Sequence, residues 1–209
     1  MKFTVAIDGP AASGKGTISR KLSEYFGFSY LDTGLIYRFI GLKVLSGFDP
    51  LEAIEKLNYH EIEVDGLRTE AVSKAASRVA SDKQVRDALV EYQRNFSRRC
   101  GGAVLDGRDI GTVICPNAEV KLYITASEEI RAARRFQELS IKDKDLTIES
   151  LISELRARDL ADRERKVSPL LKAEDAVLLD TTELSIDASV ALAVNTISKA
   201  IRLLSLIHI

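Results

Sequence analysis

Short apolar runs alternate along the chain with longer stretches whose apolar positions recur every three or four residues. The runs lie near residues 3–7, 28–31, 103–105, 119–125 and 176–179. Strand-like runs separated by helical patterns predict an α/β fold: a five-stranded parallel sheet covered by helices on both faces. After the first run, Ile18, Leu22, Tyr25 and Phe26 share one helical face, and Gly27 is the stop signal. Residues 34–46 repeat the pattern with Ile36, Ile40 and Val44 inward and Gly47 as terminator, and Asp49-Pro50 opens a short helix reaching about Leu57. Glu61 to Arg68 reads as extended, with an Asp65-Gly66 turn.

A longer helical stretch runs from about Glu70 to Arg99, broken near Ser81-Asp82, with Val72, Val79, Val85, Leu89, Tyr92 and Phe96 as its apolar face. Ser127 is an N-cap candidate for a helix toward Leu139, and Ile141 to Asp145 is a polar break. Thr147 to Lys166 is helical and dense in charge, whereas Ile186 to Leu206 is more apolar and reads as a core-packing helix.

The first strand leads directly into Gly9-Pro-Ala-Ala-Ser-Gly-Lys-Gly-Thr17. The Gly9-x4-Gly14-Lys15 spacing is that of a P-loop. Its glycines let backbone N–H groups converge on phosphate oxygens at a helix N-terminus, and the lysine reaches the outer phosphates. One departure is Gly16, which intervenes before Thr17 where the strict pattern has Ser or Thr, a wording that points to small-molecule kinases.

Ligands of open α/β sheets bind beyond the strands' carboxyl ends. Asp32-Thr33-Gly34, Asp106-Gly107-Arg108-Asp109 and Asp180 all fall there by the predicted strands. Asp106 takes the place where P-loop enzymes hold a carboxylate near magnesium, with Thr17 supplying a hydroxyl, and a loop-capping role is the alternative. Asp32 and Thr33 are equally readable as N-caps. Arg38, Arg68, Arg108, Arg134, Arg135, Arg158 and Arg165 are the phosphate-binding candidates, set against the reading that a charge run is a solvated helix face.

Composition narrows the classes. The 209 residues are 45% hydrophobic and 29% charged, enough for a core and unlike a disordered chain. Thirty basic against 31 acidic residues leave a net charge of −1, so no basic field favours nucleic acid or an anionic membrane. Cys100 and Cys115 are far apart, and neither a secretory start nor an 18-residue apolar run is evident; free thiols in a reducing cytoplasm are expected. His60 and His208 sit in no metal-ligand or nucleophile spacing.

Taken together, Ile7-Asp-Gly-Pro-Ala-Ala-Ser-Gly-Lys-Gly-Thr17, Tyr30-Leu-Asp-Thr-Gly-Leu-Ile-Tyr-Arg38, Leu105-Asp-Gly-Arg-Asp-Ile-Gly-Thr112, Arg158-Asp-Leu-Ala-Asp-Arg-Glu-Arg165, Ser168-Pro-Leu170 and Asp175-Ala-Val-Leu-Leu-Asp180 closely resemble the bacterial cytidylate kinases of the nucleoside monophosphate kinase family. The resemblance spans nearly the whole chain. It implies a P-loop kinase core at about 1–33, 100–139 and 168–209, a helical monophosphate-binding insertion at about 34–99 and a lid at about 140–167. It also implies direct in-line transfer of the γ-phosphoryl of ATP to CMP or dCMP with Mg2+.

On that likeness Gly9, Pro10, Ala11, Ala12, Ser13, Gly14, Lys15, Gly16 and Thr17, with Arg134 and Arg135, bind ATP. Thr33, Arg38, Arg68, Arg108, Asp109, Arg158, Asp162 and Arg165 bind the monophosphate, with Asp109 and Arg68 on the cytosine edge. Lys15, Arg108, Arg158 and Arg165 act in transfer, and Thr17 and Asp106 serve the metal. The stretch from Gly47 to Arg68 looks too short for the sheet insertion of the longer bacterial form. A cytoplasmic monomer without nucleic-acid or membrane partners is expected. The competing readings are a kinase with another acceptor, a P-loop switch and an arginine-based nucleic-acid module.

Overall fold

The computed structural model describes residues 2–59, 62, 66–67, 69–140 and 146–207. Five parallel strands, β1 (Thr4–Asp8), β2 (Ser29–Asp32), β3 (Ala103–Gly107), β4 (Val120–Thr125) and β5 (Val177–Asp180), are ordered β2-β3-β1-β4-β5. The register sets Asp32 beside Asp106 and Asp8 beside Gly107, which gathers three carboxylates along the carboxyl edge. A parallel sheet needs both faces covered, and two apolar clusters do this. Ile36, Ile40, Val85, Leu89 and Phe96 lie on one face; Phe3, Ile18, Leu22, Ala193 and Ile197 lie on the other.

The helices are α1 (Lys15–Phe26), α2 (Thr33–Leu45), α3 (Pro50–Glu55), α4 (Glu70–Val79), α5 (Lys83–Ser97), α6 (Glu128–Leu139), α7 (Ile148–Glu164) and α8 (Ile186–Ile207). Their starts follow local chemistry. Asp32, Asp49, Thr69, Asp82, Ser127 and Thr147 each accept from a backbone N–H of the first turn. The break expected near Ser81-Asp82 is the junction of α4 and α5. At the α2–α4 crossing a Cβ on Gly41 would stand 2.7 Å from the Ala76 nitrogen, so only glycine permits this approach. Among the described residues no strand lies between α2 and α4; the expected 61–68 extended segment falls largely outside them, with Gly66 in a turn.

Two expectations need correction, and one element went unannounced. Tyr25 is 66% exposed although its spacing matches Leu22, because Phe26, stacked on Phe28, takes the contact with the core and leaves Tyr25 edge-on outside it. A π-helical turn, Ile110–Ile114, follows β3 with no periodic signal to announce it. Finally, α8 buries Ser189, Ala193 and Ile197 but exposes Leu192, Leu203 and Leu206. By length and composition Ile186–Leu206 does form an apolar stretch long enough to cross a membrane, contrary to expectation, yet it packs along α1 and β4.

Candidate active site

β1 ends at Asp8 and the chain turns at Gly9, where a Cβ would lie 2.0 Å from the Ile124 carbonyl oxygen, so glycine is obligatory. Gly14 then adopts φ 87° and delivers Lys15 to the first turn of α1, whose N–H groups receive no side-chain cap from Gly14. The loop's far side is held by α6. Arg134 donates to the Ser13 carbonyl, the Thr181 hydroxyl and the Thr181 carbonyl.

Ala11 to Thr17 line a cleft together with Thr33, Arg38, Asp106, Arg108, Asp109, Arg135, Arg158, Asp162 and Arg165. Segments 11–17, 32–38, 106–109 and 154–165 are thus brought to one opening above the strand ends. Gly9 and Pro10 stand behind this lining, as does Arg134, and Asp180 points elsewhere, its carboxylate accepting from the Thr182 N–H and hydroxyl. Arg68 lies outside the described residues.

The floor is acidic and the walls are basic. Burial first, then the neighbouring Asp32, pushes the Asp106 carboxyl up from its ordinary value, and the Tyr30 hydroxyl donates to it at 3.3 Å. Burial and the nearby Arg108 press the Lys15 ammonium down. Thr33 donates from its hydroxyl to the Asp106 carbonyl at 2.7 Å while Asp32 caps α2, so capping and cleft lining coexist. From α7, Asp162 accepts from Arg108 at 2.7 Å. Burial opposes ionisation of Asp162, but Arg108 and Arg158 hold its carboxyl below the ordinary range.

Several buried donors on these walls have no hydrogen-bond partner among the described residues: Arg86 Nε, Arg158 Nε and Arg165 Nη2, the last standing 3.7 Å from Asp109 Oδ1, with the Ser13 hydroxyl beside them. Buried donors left open cost about 1–3 kcal/mol each, more when charged. Burial and then Arg108 also press on the charge of Arg158. A cleft that leaves cationic donors open in this way is complementary to an anion with many oxygens.

Sequence reasoning missed two residues of the site, one on this wall and one outside its lining. Arg86, 3% exposed, donates to the Ala80 carbonyl and ion-pairs with Asp109, and its guanidinium lies 5.5 Å from the centre of the Tyr37 ring. The signal was present: Arg86 interrupts the inward register of Val85, Leu89, Gln93 and Phe96 on α5. Asp8 was the other. It accepts from the Ile110 and Gly111 N–H groups at 2.8 and 2.7 Å, tying the start of the phosphate loop to the turn after Asp109.

A glycine-rich loop joining the first strand to a helix N-terminus, in a parallel sheet of this order, defines a P-loop nucleotide-binding protein. Solved structures of similar fold include an uncharacterised protein from Eubacterium ventriosum (TM-score 0.58, 11% identity, 95% of this chain and 99% of that one). A gluconokinase from Sinorhizobium meliloti has TM-score 0.50, 15% identity and coverage of 98% and 97%.

The family profile described as Cytidylate kinase matches residues 5–199. Curated relatives named cytidylate kinase are 57% identical in Cereibacter sphaeroides, over 94% of this chain and 96% of that protein, and 46% identical in Azorhizobium caulinodans, over 94% and 98%. The chain belongs to the cytidylate kinase family.

Proposed function

We propose that this protein transfers the γ-phosphoryl group of ATP to CMP or dCMP, giving ADP and CDP or dCDP. The observation that carries the reading is the set of guanidinium nitrogens on Arg86, Arg158 and Arg165 that lack a hydrogen-bond partner among the described residues, on side chains lining one cleft with Lys15. Family membership supplies the reaction class.

The loop from Gly9 to Thr17 holds the triphosphate on its N–H groups, with Arg135 at the rim and Arg134 supporting the loop from behind. Thr33, Arg38, Arg108 and Arg165 take the acceptor phosphate. An oxygen of that phosphate attacks the γ-phosphorus as the bond to the β,γ-bridging oxygen breaks, so one P–O bond replaces another and ADP leaves. Lys15, Arg108 and Arg158 neutralise the charge spread over the transferring group, which is the main contribution a protein makes to such a step.

The cytosine edge presents an amine donor beside two acceptors. The Asp109 carboxylate complements the amine, and the guanidinium of Arg86, with Arg68, complements the acceptors. Uracil has an oxygen in the amine's place and offers Asp109 no donor there, so cytosine is preferred.

The residues present fit a magnesium ion. Asp106 is a buried carboxyl pressed upward by burial and by Asp32, a setting a cation relieves, and Thr17 lines the same cleft. Among the described residues no group of three acidic, His or Cys side chains stands ready as a full metal cage. Magnesium needs none, because it binds through one or two carboxylates with phosphates and water. When bound, it supplies charge neutralisation at the phosphates.

The working division is a core at about 1–33, 100–139 and 168–209, a monophosphate-binding insertion at about 34–99 and a lid at about 140–167. Free thiols at exposed Cys100 and buried Cys115 suit a cytoplasmic setting. The test is transfer of label from γ-labelled ATP to CMP by the wild type and by Lys15→Met. Label should appear in CDP with the wild type, and the variant should keep the wild-type circular dichroism spectrum while losing transfer; equal transfer by both would remove Lys15 from the reaction.

A further inference from the structure

Three features outside the described chemistry stand out. The groove between α2 and α3, lined by residues including Phe39, Lys43, Phe48 and Lys56, has no buried polar side chain among its described lining residues. The exposed leucines of α8 have nothing to indicate what covers them. The third is a buried ion pair behind the phosphate loop, and it carries an inference.

Asp159 on α7 and Arg131 on α6 are 5% and 3% exposed and ion-paired at 2.6 Å. Both also grip the same residue of the phosphate loop. Asp159 Oδ1 accepts from the Ala11 N–H at 3.3 Å, and Arg131 donates to the Ala11 carbonyl at 3.1 Å. Arg131 Nε is fixed in turn by the Ala126 carbonyl at the end of β4. The N–H and the carbonyl of one loop residue are therefore bound to two helices, and an apolar cluster of Ala11, Ala132, Leu151 and Leu155 surrounds the contact.

Its position gives the brace a meaning beyond packing. The inward stripe of α7 runs Leu151, Leu155, Asp159, Asp162. Arg158 stands next to Asp159 and lines the cleft with its buried Nε lacking a hydrogen-bond partner, while Asp162 and Arg165 are already tied to the acceptor side through Arg108 and Asp109. The helix thus has separate anchors on its two sides, and Asp159 is the anchor to the donor loop.

We propose that Asp159 and Arg131 are positioning residues for phosphoryl transfer, fixing the register between the phosphate loop and the arginine-bearing helix α7 so that Arg158 meets the donor phosphates. This rests on the kinase reading above. Loss of the brace frees the donor side of α7 while the acceptor-side anchors stay. The result is a split effect: a lower kcat and a higher KM for ATP, with KM for CMP near the wild-type value.

Removing one member strands a buried charge and destabilises the fold, which would confuse the result. Arg131→Met/Asp159→Leu replaces the pair by apolar groups next to an apolar cluster, a change that is often neutral or stabilising. The experiment compares this double variant with Asp159→Asn and the wild type in thermal unfolding, in steady-state kinetics with ATP and CMP varied separately, and in calorimetric titration with a magnesium complex of a non-hydrolysable ATP analogue.

The double variant should melt close to the wild type, lose roughly ten- to a hundred-fold in kcat as expected for a displaced catalytic group, and bind the analogue more weakly. Asp159→Asn should fall between. Wild-type kcat and KM for ATP in a folded double variant would overturn the proposal, as would an equal rise in KM for both substrates. If the wild type itself fails to phosphorylate CMP, the kinase reading falls, and the analogue titration still decides whether the brace serves the donor loop.

Discussion

Replacing Arg86 by Leu removes the guanidinium that ion-pairs with Asp109 and donates to the Ala80 carbonyl, at a position 3% exposed. Asp109 is itself 4% exposed and is left with Arg165 Nη2 at 3.7 Å, a longer contact. Breaking a buried pair by deleting one partner costs about 3–5 kcal/mol, and the residual Arg165 contact places this case near the lower end, about 3 kcal/mol. For a chain of this size each kcal/mol lowers Tm by about 2–4 °C, so a fall of roughly 6–12 °C is expected. The Arg86→Leu/Asp109→Leu variant removes the stranded carboxylate and should recover part of that loss, although both variants should use CMP poorly. Circular dichroism melts of the wild type, Arg86→Leu, Asp109→Leu and the double variant measure this. A single variant within about 1 kcal/mol of the wild type, or a double variant no more stable than Arg86→Leu, would refute the account of this pair.

Two further outcomes follow from the strand ends. Burial raises the Asp8 carboxyl from the ordinary 3.8 to about 6 against the two N–H groups it accepts. The folded state therefore holds a proton between those values that the unfolded chain has released. Stability from this group is full below 3.8 and is lost as pH rises toward 6, a change of about 3 kcal/mol from the two-unit shift. Urea unfolding of wild type and Asp8→Asn between pH 3.5 and 7 should show the wild type losing ground to the variant as pH rises; a gap independent of pH would contradict it. Gly9→Ala places a methyl against the Ile124 carbonyl, where 2.0 Å is available, and should cost at least about 3 kcal/mol and abolish binding of an ATP analogue. A near-native melt with intact binding would show that the loop tolerates the group.

Much of this was legible in the chain because its signals are local. Apolar runs fixed the five strands to within a residue or two, the Ser127 cap fixed a helix start, and the glycine spacing fixed the phosphate loop. What escaped notice depends on contacts between segments distant in sequence. Asp8 acquires its partners from residues 110 and 111, Arg86 from Asp109, and Asp159 from Ala11 and Arg131. In each case the clue was a charged residue where an apolar one belongs, and that clue does not name its partner. Asp180 illustrates the converse: its place at a strand end suggested the site, whereas its Oδ1 is engaged by its own turn and it does not line the cleft. The exposure of Tyr25 was likewise set by Phe28, which lies beyond the helix that carries both residues' periodicity.

The most direct test is ADP formation from Mg-ATP with CMP, dCMP, UMP and AMP supplied separately, beside a control without acceptor. Strong turnover with CMP or dCMP, weak turnover with UMP and AMP and slow hydrolysis without acceptor is the expected result. Hydrolysis that ignores the acceptor, or equal use of CMP and UMP, would contradict the account of a cleft whose arginines and Asp109 select a cytosine monophosphate.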